Sequence, residues 1–171
     1  MGRKIVFINQ ATGYLTIDIL NVFAEKFDEV SLITGSIRVQ DMLLNQKVRI
    51  SHICRYDRGN NFRKAISWIL GTIQIFFLLS FKYRGFEKIF FTIPPTAYLF
   101  VTRSKPSFSL IIYDLYPEAL RANGLNEESI LYRWWSARNR KLFPKAHKIY
   151  TLSENMKSLA MKYSDKADLR V

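Results

Sequence analysis

Apolar and polar positions alternate along the chain in two periods. Lys4-Ile5-Val6-Phe7-Ile8-Asn9 is a continuous β-branched and aromatic run, the pattern of a strand covered on both faces. After the turn Gln10-Ala11-Thr12-Gly13, the spacing of Ile17, Leu20, Phe23, Ala24 and Phe27 predicts a helix over 14–27. Strands are predicted over 30–34, 48–53, 87–92, 108–113 and 148–152, with another opening at 168–171. Helices are predicted over 62–82, 96–102, 117–122, 127–143 and 154–163, and weakly over 38–46. Ser153 is a good N-cap for the helix at 154–163. Gly59-Asn60-Asn61 marks a loop, and Pro94-Pro95 stops a strand.

Strand and helix alternate throughout. This predicts an α/β domain with a mainly parallel sheet and helices on both faces. Ligands of such sheets bind beyond the carboxyl ends of the strands. The loops of interest are therefore 9–13, 34–37, 92–96, 113–118 and 152–154.

The helix at 62–82 breaks the ordinary amphipathic pattern. Residues 65–81 carry no charge, with Arg63 and Lys64 before them and Lys82 and Arg84 after. The stretch lies at the lower edge of membrane-span length. Strands of one sheet on either side of it argue against spanning. Lys64, Ser67, Gly71, Gln74 and Lys82 share one narrow stripe, and the rest is apolar. Basic flanks with an aromatic-rich apolar face suit a helix lying in a membrane interface. The candidate contacts are Trp68, Phe76 and Phe77, with Arg63, Lys64 and Lys82 at the head groups. The alternative is burial between the sheet and a neighbouring element.

Composition narrows the partners. The 171 residues hold 26 Lys and Arg against 14 Asp and Glu, a net charge of +12, and 49% are hydrophobic. The apolar content excludes a disordered chain. A single Cys54 excludes a disulfide framework. With only His52 and His147 beside it, a four-ligand zinc site without carboxylates is excluded too, and no metal is expected. The lone thiol and the four-residue apolar run after Lys4 point to a cytoplasmic chain without a secretory leader. The positive charge calls for nucleic acid, an anionic membrane surface or a phosphorylated substrate. It concentrates at Arg55, Arg58, Arg63 and Lys64, and between Ser129 and Lys148, where no acid occurs and Trp134 and Trp135 are interleaved. That interleaving suits single-stranded nucleic acid or an anionic lipid interface. The apolar helix favours the membrane.

Asp114, Tyr116 and Glu118 follow the fifth predicted strand directly. Asp114 could accept a proton, hold a substrate hydroxyl or cap the next helix. Thr12-Gly13 lies before a helix N-terminus, where backbone and dipole favour an anion. The P-loop, the serine nucleophile elbow and H-E-x-x-H are all absent.

Asp114-Leu115-Tyr116-Pro117-Glu118 resembles the D-x-W-P-E element of family 4 glycosyltransferases, with Tyr116 in place of Trp. Ala146 to Met156 is similar to that family's segment ending in S-x-x-M, with His147 where Asp is common. The resemblance implies a Rossmann-like N-terminal half of a GT-B enzyme, spanning 1–171 and binding the acceptor. It implies a retaining transfer from a nucleotide-sugar to a lipid-linked or glycan acceptor at the cytoplasmic membrane face, without cofactor. The donor would bind a C-terminal domain, absent from this chain and supplied in cis or in trans. Asp114 would stand near the reacting centre, Thr12 and Gly13 near a diphosphate, and Tyr113, Tyr116, Glu118, Ser153 and Glu154 along the cleft. The chain departs from the family pattern at Thr12, where the family has a second glycine, at Tyr113, where many members carry His, and in the expected absence of the C-terminal domain. The competing expectation is a non-enzymatic basic module for nucleic acid or anionic membrane.

Overall fold

The computed structural model describes residues 2–40, 42–101, 108–164 and 169–170. The chain begins with β1 (Lys4–Ile8), β2 (Ala11–Thr12), α1 (Tyr14–Lys26), β3 (Glu29–Thr34) and β4 (Ser36–Ile37). It continues through β5 (Arg49–His52), α2 (Asn61–Phe81), β6 (Glu87–Phe91), a 3₁₀ turn (Ala97–Phe100) and β7 (Phe108–Ile112). It then forms α3 (Glu118–Ala122), α4 (Ile130–Leu142), a second 3₁₀ turn (Phe143–Lys145), β8 (Ile149–Thr151), α5 (Glu154–Met161) and β9 (Leu169–Arg170).

Seven strands form one sheet in the order β5-β3-β1-β6-β7-β8-β9. Every neighbouring pair is parallel, with Phe7 opposite both Leu32 and Ile89. The domain is therefore α/β and Rossmann-like, as the alternation predicts. Alternate residues of each strand feed two cores. Val6, Ile8, Phe90 and Leu110 join Ile75, Trp135, Phe143 and Tyr163 on one face. Ile5, Phe7, Leu32 and Phe91 join Leu20 and Ala24 of α1 on the other. Each such fully buried side chain contributes about 1.5–3 kcal/mol. Strand order reverses between β1 and β6, which opens a crevice at their carboxyl ends.

Two stretches differ from expectation. The described part of 38–46 is not helical. It is tied to α1 by Asn21, whose Nδ2 donates to Leu43 O at 2.9 Å and whose Oδ1 accepts from Asn45 N at 2.8 Å. These tertiary bonds replace helical ones. β2 and β4 form an unforeseen parallel pair beside the crevice. The predicted α4 starts later, at Ile130, because Ser129 caps it by accepting from Tyr132 N. Ser153 caps α5 as expected, accepting from Met156 N. Of the strand expected at 168–171, residues 169–170 pair with β8; 168 and 171 lie outside the described residues, as does residue 102 of the helix expected over 96–102.

α2 is oriented opposite to a simple amphipathic helix. Its small and polar stripe, Ser67, Gly71 and Thr72, is buried with Ile75, while Phe62, Ile69, Ile73, Phe77 and Phe81 are exposed. Phe81 is 80% exposed. Ser67 and Gly71 meet loop backbone and the Gln10 amide, while Ile75 further along packs on the apolar sheet.

Candidate functional site

The loop after β1 anchors the crevice. Asn9 and Gln10 are both fully buried. Asn9 Nδ2 donates to Thr16 Oγ1 at 2.9 Å, linking strand to α1. Gln10 Nε2 donates to Ser67 O at 2.8 Å and Cys54 O at 3.1 Å, joining the β1 loop, the segment after β5 and α2. Gln74 adds a second tie by accepting from Cys54 N at 2.7 Å. Gly71 leaves the room this arrangement needs.

Beside that anchor lies a cavity of about 420 Å³, lined by Thr12, Gly13, Ser36, Arg38, Arg55 and Arg58, with Tyr56 and Asp57 completing its wall. Thr12 and Gly13, which the resemblance expects near a diphosphate, both line this cavity. The Thr12 side chain is buried and paired with the Thr34 hydroxyl at 2.9 Å, and its carbonyl accepts from Arg38 N at 2.9 Å, so Thr12 shapes the loop. Gly13 caps α1 and has open space where a Cβ would stand.

The loop after β7 lies at the carboxyl end of the strand next to β6 and forms a second wall by topology, outside the cavity lining itself. Thr92 Oγ1 accepts from Tyr113 N at 3.0 Å and from Asp114 N at 3.2 Å, fixing the turn. Asp114 is exposed, with no ion pair among the described residues. Asp114 thus stands on the solvent side just past the carboxyl end of β7. Tyr113 packs on Phe91 at 5.5 Å, and burial raises its pKa. Burial, then the charge of Asp114, pushes the Tyr116 phenol up to about 12.

Glu118 corrects the expectation of substrate contact. It is buried and accepts from the Tyr163 hydroxyl at 2.6 Å and the Tyr132 hydroxyl at 3.2 Å. It therefore joins α3 to α4 and the segment after α5. Ser153 is exposed and serves as a cap, and Glu154 pairs with Lys157 at 3.4 Å. Both sit at the carboxyl end of β8.

A file of rings connects the two walls. Tyr56 stacks on Trp68 at 6.2 Å, Trp68 meets the edge of Tyr116 at 5.6 Å, and Tyr116 stacks on Trp135 at 5.5 Å. Trp68, expected at a membrane surface, is thus turned inward, and its Nε1 is buried without a partner among the described residues. Phe76 and Phe77 are half exposed on the outer face of α2. Arg63 is exposed and Lys64 partly so. Lys82 Nζ donates to Ser51 Oγ at 2.9 Å, which ties it to β5.

α4 is fastened beneath this loop. Tyr98 donates to Asn139 Oδ1 at 3.0 Å, and Asn139 Nδ2 donates to Tyr116 O at 2.6 Å. His52 and His147 are exposed, away from the crevice lining. Cys54 is partly buried, and burial raises its pKa. Among the described residues no cluster of His, Cys, Asp or Glu could hold a metal ion. Sequence reasoning missed Gln10, and it assigned Arg55 and Arg58 to a general basic patch without Arg38. Only the pairing of β2 with β4 brings Arg38 into the cavity.

No protein-family model matches the chain, and no curated protein matches it. In fold it is similar to the crystal structure of WaaG, a glycosyltransferase involved in lipopolysaccharide biosynthesis, with a TM-score of 0.57 and 14% identity. The match covers 96% of this chain and 44% of that chain, so the residues described here span less than half of that enzyme.

Proposed function

We propose that this chain is the acceptor-binding half of a retaining glycosyltransferase. It holds a lipid-linked glycan acceptor at the cytoplasmic face of a membrane, while a nucleotide-sugar binds a second domain in cis or in trans. The observation that carries this reading is the placement of α2. Its outer face is apolar and exposed among the described residues, and its inner face is bonded to the β1 loop through Gln10. A helix resting in a lipid interface would then hold the crevice close to the head groups. Arg63 at its start and Arg84 beyond its end would meet anionic lipid, each contributing about 1 kcal/mol.

Within the crevice, Asp114 accepts a hydrogen bond from an acceptor hydroxyl and orients it toward the donor sugar. Gly13 gives close backbone approach at the end of α1. The likeness to WaaG supports a glycosyltransferase-like role through fold alone.

The test is sugar transfer from labelled nucleotide-sugars to a membrane lipid extract. Transfer is expected only when a donor-binding domain is fused or added, and Asp114→Asn is expected to reduce it by about 10²-fold or more. Transfer by residues 1–171 alone would overturn the half-enzyme reading. Salt-sensitive oligonucleotide binding without any transfer would favour the basic-module alternative.

A further inference from the structure

We propose that Arg38, Arg55 and Arg58 form a binding site for the diphosphate group of a ligand. The three arginines come from two separate segments, after β4 and after β5, and line one cavity of about 420 Å³. That is within the ordinary range for small-ligand sites. None of the three has an ion-pair partner among the described residues. One carboxylate, Asp57, stands in the same wall, and its Oδ1 is engaged by Gly59 N at 2.7 Å, which leaves the three arginines in excess. Arg58 stands over the Tyr56 ring at 6.0 Å, which places one cation at the rim.

Three arginines around one concavity give it a positive potential, which favours an anionic ligand. A planar guanidinium matches phosphate oxygens in pairs, and three of them exceed what one phosphate monoester needs. A diphosphate spreads its charge over two groups and uses all three. The open space over Gly13 lets an oxygen approach the backbone of the β1 loop. The site separates Arg55 and Arg58 from the lipid-facing charges, because they line the crevice rather than the outer face of α2.

The site rests on the acceptor reading only for the source of the diphosphate, which is either a prenyl lipid or a nucleotide. Inorganic pyrophosphate is the probe, titrated calorimetrically into the chain at fixed ionic strength. Saturable binding is expected. The double variant Arg55→Gln/Arg58→Gln should weaken it at least tenfold, and Arg38→Gln alone at least threefold. The control pair Arg133→Gln/Arg140→Gln on α4 should change it less than twofold. Equal losses in both double variants, or no saturable binding, would overturn the site. A tenfold gain with farnesyl diphosphate assigns the group to a lipid, and a tenfold gain with uridine diphosphate assigns it to a nucleotide. Pyrophosphate binding in a protein that transfers no sugar with any donor domain would leave the site standing and remove the enzyme reading.

Discussion

Gly71 of α2 stands over Gln10 of the β1 loop so closely that a Cβ at position 71 would lie 2.6 Å from Gln10 Nε2. The amide cannot move aside freely, because it is fully buried and donates to two carbonyls. Gly71→Ala is therefore expected to destabilise the chain by about 1–3 kcal/mol. Gly13→Ala, with open space and a φ that any residue adopts, should leave stability within about 0.5 kcal/mol. Urea midpoints of the two variants measure the contrast, and equal midpoints would contradict it.

Glu118 serves the fold. Glu118→Ala leaves two phenols, Tyr132 and Tyr163, without their acceptor, at a cost of about 1–3 kcal/mol. Acceptor binding by the variant that remains folded should change less than twofold. A large loss of binding with unchanged stability would return Glu118 to the crevice.

Stability should fall in alkali. The Tyr116 phenol is pushed up to about 12 by burial and Asp114, so between pH 10 and 12 the unfolded chain holds fewer protons than the folded one. Stability from this group is complete below pH 10 and is lost as pH rises through that window. Partial exposure reduces its share to about 1–2 kcal/mol. Tyr116→Phe should flatten that part of the decline in urea midpoints between pH 9 and 11.5. Buried Tyr98 and Tyr163, also raised by burial, keep the rest. An unchanged slope in Tyr116→Phe would contradict the assignment.

Much of this architecture was legible in the chain itself. β1, β3, β6 and β7 are apolar runs whose covering on two faces is written in their composition. Ser153 capped α5 where a serine before a helical run should. The stretch 38–46 misled because Val39, Leu43 and Leu44 imitate helical spacing, while Asn21, far away in sequence, satisfies its backbone. The stripe of Ser67 and Gly71, with Gln74 exposed at its edge, has the look of a solvent face. It turns inward because its neighbours are Gln10 and the backbone of Cys54, polar groups that no local pattern announces. Arg38 was invisible as a site residue for a like reason: its place depends on the two-residue pairing of β2 with β4.

Trp68 and Phe77 lie on one helix with opposite roles. Trp68 packs between Tyr56 and Tyr116, so Trp68→Ala should cost about 2–4 kcal/mol. Phe77 is 55% exposed, and Phe77→Ser should change stability by less than about 0.5 kcal/mol. Thermal melts of the two variants check this directly. A larger loss for Phe77→Ser would mean that the outer face is covered within the protein.

The most direct measurement is flotation of the chain with three kinds of vesicle: neutral lipid, anionic lipid, and anionic lipid carrying a prenyl-diphosphate-linked sugar. Binding should rise in that order. Phe77→Glu/Phe81→Glu should abolish it in all three while leaving the melting temperature unchanged. Absence of flotation with every vesicle, or unchanged flotation of the double variant, would contradict an acceptor-binding domain seated on the membrane through α2.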